Sequence, residues 1–253
     1  MSETVTNDGC WALFLDVDGT LLEFAATPQD VHVPNRLKGL LLALFERLEG
    51  AVALVSGRSV ENLDQLFAPH RFSAAGVHGC ERRTATGITL RPEVNTRSVA
   101  HARDQLTAFT LNHPGLLLED KGYGLALHFR RAPELEAQVH ATMTATLDQL
   151  GADFQLQAGK LVYELRPANW SKGTSIFAFM QETPFQGRRP IFIGDDVTDE
   201  DAFGAVNALN GISVCVGDRP ETRARYRLHS VADVHRWLEA FPPPALAALE
   251  HAN

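Results

Sequence analysis

The 253-residue chain carries 23 Lys and Arg against 31 Asp and Glu, a net charge of −8, and 45% hydrophobic residues. That suits one or two packed domains. The acidic balance argues against a general nucleic-acid or anionic-membrane binder. No apolar run reaches the ~20 residues that span a bilayer, and residues 1–9 lack a basic-then-apolar leader. Cys10, Cys80 and Cys215 form no metal-ligand or disulfide pattern. The expectation is a reduced, cytoplasmic protein with no nucleic-acid or membrane partner. A monomer is expected, because no heptad run invites assembly.

In chain order, residues 12–15 form a short apolar run that reads as a buried strand. A helix follows over about 34–48, with Leu37, Leu41, Leu44 and Leu48 on one face. Strand 51–55, helix 60–67 and strand 73–77 come next. Late in the chain the alternation returns as strand 191–193, helix 199–206, strand 212–216 and helix 231–241, which ends at Pro242-Pro243-Pro244. Such alternation indicates a parallel sheet covered on both faces, with the ligand beyond the carboxyl ends of its strands. Five of those ends deliver polar or small residues: Asp16-Val17-Asp18-Gly19-Thr20, Ser56-Gly57-Arg58, His78-Gly79, Gly194-Asp195-Asp196 and Gly217-Asp218.

The middle of the chain, 94–167, has another period and reads as an inserted domain between core segments 1–93 and 168–253. Its order is helix (96–110), two strands, helix (133–150), two strands. The strands at 116–121, 124–130, 153–158 and 160–166 alternate, so one face is dry and one wet. The wet face collects Glu119, Lys121, His128, Arg130, Lys160, Glu164 and Arg166. A solvated face with ion pairs and a face that binds a polyhydroxyl ligand explain this pattern about equally well.

Asp16, Asp18, Asp195 and Asp196 gather carboxylates from two strand ends. Clustered carboxylates repel, and a hard cation relieves them. Oxygen donors without a Cys or imidazole cluster favour Mg²⁺ over zinc. Ser56 and Gly57 offer a hydroxyl and amides to a phosphoryl group. Ser171 caps a helix on which Lys172 adds a full positive charge. An Asp can attack phosphorus while a second carboxyl moves the proton.

These residues resemble the phosphatases of the haloacid dehalogenase superfamily. Asp16-Val17-Asp18-Gly19-Thr20 is similar to their DxDGT signature, and Ser56, Lys172 and Gly194-Asp195-Asp196-Val197-Thr198-Asp199 to their second, third and fourth motifs. The closer resemblance is to the trehalose-6-phosphate phosphatase family, on Ser56-Gly57-Arg58, Gly76-Val77-His78-Gly79-Cys80-Glu81 and Gly194 to Asp201. In the insert it rests on Glu119-Asp120-Lys121, His128-Phe129-Arg130, Gly159-Lys160 and Glu164-Leu165-Arg166-Pro167. The resemblance implies a Rossmann-like α/β core with a parallel sheet and an inserted α+β cap, an open-faced four-stranded sheet with two helices. It implies a Mg²⁺-dependent phosphatase acting on a sugar phosphate. Asp16 would be the nucleophile and a metal ligand, and Asp18 the acid and base that also binds metal through its carbonyl. Asp195 would complete the protein ligands, with Asp196 and Asp199 orienting metal waters or Lys172. Ser56, Gly57 and Lys172 would hold phosphate. Arg58, His78, Glu119, Lys121, His128, Arg130 and Glu164 would meet the sugar, with a cap that closes over the site. Another sugar phosphatase or a phosphomutase could share the core motifs, but the cap motifs argue against both. A non-catalytic sensor would lack Asp16 or Asp18.

Overall fold

Trp11–Leu15 (β1) is apolar and buried at every residue, as a central parallel strand must be. The computed structural model describes residues 11–23, 31–159, 161–241 and 250–252, so Cys10, Lys160 and the Pro242–Pro244 run lie outside them. The chain divides into two compact units, one of residues 91–170 and one of the segments on either side.

In the larger unit β1 is followed by Asn35–Arg47 (α1), Val52–Val55 (β2), Val60–Phe67 (α2), Ser73–Gly76 (β3), Glu81–Arg83 (β4) and Thr89–Leu90 (β5). The carboxyl-terminal segment supplies Lys172–Phe179 (α5), Arg189–Gly194 (β10), Glu200–Ala208 (α6), Ile212–Val216 (β11), Tyr226–Leu228 (β12), Val231–Glu239 (α7) and Glu250–His251 (β13). The sheet order is β13-β12-β11-β10-β1-β2-β3-β4-β5. It is parallel from β12 to β3 and antiparallel at both margins. Helix α5 packs on α6 and α1 on α7. Phe14, Phe179 and Phe185, all fully buried, meet with ring centroids 5.1–5.9 Å apart. Each such buried ring contributes about 1.5–3 kcal/mol of transfer free energy.

The expected helices and strands appear with shifts at their ends. Hairpin β4–β5 and strands β12 and β13 are additions. Glu81-Arg82-Arg83 has no apolar pattern, yet all three residues are buried, because each charge is satisfied. Glu81 Oε2 accepts from Val60 N at 2.9 Å, Arg82 pairs with Glu182, and Arg83 with Asp64.

The smaller unit contains Thr96–Leu111 (α3), Leu117–Asp120 (β6), Leu125–His128 (β7), Glu136–Leu150 (α4), Phe154–Gly159 (β8) and Val162–Pro167 (β9). Its sheet is antiparallel, in the order β6-β7-β9-β8. Leu125, Leu127 and Leu165 pack against Ala102 and Leu106 of α3 and Val139 and Met143 of α4. The opposite face carries one row across all four strands: Glu119, Ala126, Glu164 and Gln157. Two expected strand positions are corrected. Strand β7 ends at His128, and Arg130 lies exposed in a turn closed by Ala132 N donating to Phe129 O. Strand β9 starts at Val162, which pairs with Gly159, so Leu161 lies outside the ladder, at φ 61°. Among the described residues no helix is long and apolar enough to cross a membrane.

Candidate active site

The site grows from the carboxyl ends of β1, β2, β3 and β10. Strand β1 hands Asp16 to the edge, where its amide still donates to Ile193 O at 3.0 Å. The chain then turns: Leu21 N and Leu22 N both donate to Val17 O, and Gly19 N to Leu22 O. Gly19 is required there twice over. Its φ is +81°, and a Cβ would run into the Asp195 carboxylate. The turn swings the buried Thr20 hydroxyl between the two carboxylates, 3.3 Å from Asp16 Oδ2 and 3.2 Å from Asp195 Oδ1.

Strand β10 ends in Gly194, and the next turn brings back Asp199, which is fully buried. Its Oδ2 accepts from the amides of Asp195 and Asp196, both at 2.9 Å, and its Oδ1 from Lys172 Nζ at 2.6 Å. Lys172 opens α5 because Ser171 and Thr174 form a reciprocal capping box. Its ammonium, 2% exposed as a residue, also donates to Asp16 Oδ1 at 2.7 Å. Asp16, Asp195 and Asp199 each offer a carboxylate oxygen within 4.8 Å of the others.

One buried ammonium among three carboxylates leaves an excess of negative charge. Burial, reinforced by Asp199 and Asp195 and only partly offset by Lys172, holds the Asp16 carboxyl well above its ordinary range. Burial and then the Asp199 charge raise Asp195 to about 6. Burial works against the Lys172 charge, but Asp16 and Asp199 outweigh it and keep the ammonium protonated. Such a cluster is suited to a hard cation held by Asp16 and Asp195. Both Asp199 oxygens are already engaged, one by Lys172 and one by the amides of the β10 turn.

The other strand ends add donors. Ser56, 1% exposed, follows β2, and its Oγ accepts from Arg58 N at 3.2 Å. A Cβ on Gly57 would sit 2.7 Å from the His78 ring. After β3, Val77 and His78 adopt left-handed backbone at φ 48° and 53°. This is costly for a β-branched valine and fixes where the imidazole stands.

The sequence-derived set divides into groups. Asp16, Lys172, Asp195 and Asp199 come together, flanked by the Thr20 hydroxyl. Asp18 is absent from the carboxylate cluster, and both its oxygens accept from Arg58, Nε at 2.7 Å and Nη2 at 2.6 Å. Arg58, expected to meet the sugar, is thus engaged by Asp18. Asp196 is exposed and contributes its amide to Asp199. In the smaller unit Lys121 Nζ pairs with Glu164 at 3.0 Å and His128 Nε2 with Glu119 at 2.9 Å. Arg166 stands across from Gln155.

A family model described as trehalose-phosphatase matches residues 14–232. The chain belongs to the trehalose-phosphatase family. A trehalose-6-phosphate phosphatase of Escherichia coli (strain K12) is 45% identical over 243 residues, 94% of this chain and 89% of that protein. A solved trehalose-6-phosphate phosphatase of Aspergillus fumigatus superposes with a TM-score of 0.72 at 26% identity, covering 91% and 92% of the two chains. A haloacid dehalogenase-like hydrolase from B. subtilis does so at 0.66 and 14% identity, over 91% and 99%. The fold is therefore of the haloacid dehalogenase type, and membership of the trehalose-phosphatase family makes the chain a phosphatase.

Sequence reasoning missed one member of this candidate site. Thr20 stood in a motif, but its role as the hydroxyl between two carboxylates follows only from the turn geometry. The signal was present in Gly19, whose left-handed φ folds Thr20 back.

Proposed function

We propose that this enzyme hydrolyses trehalose 6-phosphate to trehalose and phosphate, the last step of trehalose biosynthesis. The single observation carrying the reading is the buried Lys172 ammonium spanning Asp16 and Asp199 beside Asp195. It supplies a fixed nucleophile and a cation-deficient carboxylate pair in one place. Family membership and the substrate named for the relatives support the choice of ester. In this reading the larger unit is catalytic, and the polar sheet face of the smaller unit selects the sugar.

Asp16 and Asp195 would hold Mg²⁺, with Asp18 lending its main-chain carbonyl and Asp196 orienting metal waters. When bound, Mg²⁺ neutralises charge on the transferring phosphoryl group. Lys172 fixes the Asp16 rotamer through Oδ1 and stabilises the equatorial phosphoryl oxygens, aided by Ser56 and the Gly57 amide. Asp16 attacks phosphorus, the bond from phosphorus to the sugar oxygen breaks, and Asp18 gives that oxygen its proton. Asp18 then takes a proton from water, which attacks the aspartyl-phosphate and releases phosphate and the Asp16 carboxylate.

The test is phosphate release from trehalose 6-phosphate beside sucrose 6-phosphate and glucose 6-phosphate, with Mg²⁺ and with chelator. Selective, Mg²⁺-dependent release from the trehalose ester is expected. Release from another ester alone overturns the substrate assignment, and full activity in chelator overturns the metal.

Proton and metal compete for the same carboxylates. Asp195 rises from an ordinary 3.8 to about 6 in the folded, metal-free protein. The folded state therefore binds this proton more tightly than the unfolded one. Metal-free stability from this group is greatest below about pH 4 and is lost as pH rises through about 6. The increase in Tm caused by Mg²⁺ should accordingly be largest above pH 7 and shrink toward pH 5. A Mg²⁺ effect on Tm that is flat from pH 5 to 8 would contradict Asp195 as a ligand.

Glu164 tests sugar recognition. Its carboxylate pairs with Lys121, each side chain about one-fifth exposed (19% and 21%). Glu164→Ala should lower kcat/KM on trehalose 6-phosphate about 30-fold, the worth of one charged hydrogen bond. It should leave p-nitrophenyl phosphate turnover within about 3-fold. Equal losses on both substrates would remove Glu164 from the sugar site.

A further inference from the structure

The Arg58 guanidinium uses both of its edges. Nε and Nη2 form a fork on Asp18 at 2.7 and 2.6 Å, while Nη1 donates to Asn62 Oδ1 at 2.8 Å. The Arg58 side chain is 10% exposed. Asn62 sits in the first turn of α2, with its amide on the Ser59 capping oxygen at 3.2 Å. The Arg58 amide is tied to Ser56 Oγ. A planar guanidinium transmits orientation rigidly, so fixing Nη1 fixes the plane of the fork. Asp18 itself lies in the turn after β1, where neighbouring backbone bonds hold its main chain while the fork takes both carboxylate oxygens.

We propose that Asn62 is a positioning residue for Asp18, acting through Arg58. This rests on the reading above, in which Asp18 protonates the departing sugar oxygen and then accepts a proton from water. That work needs the carboxyl held in one orientation, and a displacement of about 1 Å at such a group costs up to 10²-fold in rate. Asn62 reaches Asp18 through Arg58, from whose Nη1 its Oδ1 accepts. It belongs to none of the motifs quoted above, and its hydrogen bond from Arg58 Nη1 gives it a part in the reaction.

The experiment compares Asn62→Ala and Asn62→Asp with wild type on two leaving groups. Alanine favours the helix, and Asp keeps an acceptor oxygen at the same reach. For Asn62→Ala, kcat on trehalose 6-phosphate should fall about 10-fold with KM within about 2-fold. Asn62→Asp should stay within about 3-fold of wild type. p-Nitrophenolate leaves without a proton, so its rapid-mixing burst should be unchanged in Asn62→Ala. Single-turnover release of trehalose should slow as kcat does. A general loosening of the fold would slow both. The proposal is overturned by an Asn62→Ala enzyme with wild-type kcat, by equal slowing of the two releases, or by an Asn62→Asp enzyme as slow as Asn62→Ala. A wild type that ignores trehalose 6-phosphate fails the substrate reading instead. The same comparison then runs on whichever alkyl phosphate the wild type does hydrolyse.

Discussion

Asp16→Asn should abolish turnover, by about 10⁴-fold or more, while leaving the protein at least as stable as wild type. The two effects separate because Asp16 has two environments to answer to. As a nucleophile it needs a negative oxygen, which the amide lacks. As a buried group, its ionised form is held at a cost by desolvation and by Asp199 and Asp195. The amide keeps an acceptor for Lys172 Nζ, now 2.7 Å from Oδ1, without the charge. Phosphate release together with the metal-free Tm checks this. Residual activity above about a hundredth of wild type would refute Asp16 as the nucleophile. A Tm several degrees lower would refute the electrostatic account.

Lys172→Met is expected to fail in the opposite way, on stability as well as activity. Its ammonium is the cation that Asp16 and Asp199 both contact, 2.7 and 2.6 Å away, where the Asp16 and Asp199 side chains are only 5% and 0% exposed. Removing one partner of a buried ion pair costs about 3–5 kcal/mol, because the remaining charge stays buried and unpaired. Urea unfolding of metal-free protein should show that loss, and Mg²⁺ should restore part of it. Turnover should drop at least about 10²-fold even when Mg²⁺ keeps the fold intact, since a donor to the phosphoryl oxygens is gone. A variant within about 1 kcal/mol of wild type without metal would mean that Lys172 does not balance the cluster. Lys172→Arg is not a rescue, because a planar fork cannot replace a compact ammonium between two carboxylates.

What sequence could and could not deliver divides along physical lines. Strands β1, β2, β10 and β11 are buried on both faces, so continuous apolar runs announce them, and the residues that follow them announce the site. Period two separated the dry face of the smaller sheet from its wet face because helices cover only one side. Hairpin β4–β5 stayed hidden, since Glu81 is buried against the Val60 amide and Arg82 and Arg83 through ion pairs with distant residues, which no local pattern encodes. The same holds for pairing within the site. Motif spacing placed Arg58 and Asp18 at one edge, but the fork between them joins positions forty residues apart in sequence. Strand ends were the other weakness. Arg130 continued the alternation of β7 on paper, yet the ladder stops at His128, where Phe129 N reaches Leu161 O in the next hairpin.

The strand order carries a consequence for how the protein is made. Strand β1 is flanked by β2 on one side and β10 on the other. Its first neighbour leaves the ribosome soon after it, but Ile193, the partner of Leu15, emerges about 180 residues later, roughly 10–35 s at ordinary translation rates. The whole contiguous 91–170 unit is synthesised within that interval. Throughout it, this wholly apolar strand presents an open edge, the feature that recruits other chains. Lys172, Asp195 and Asp199 also follow that unit, so the nucleophile waits, without its counter-charge, until they are made.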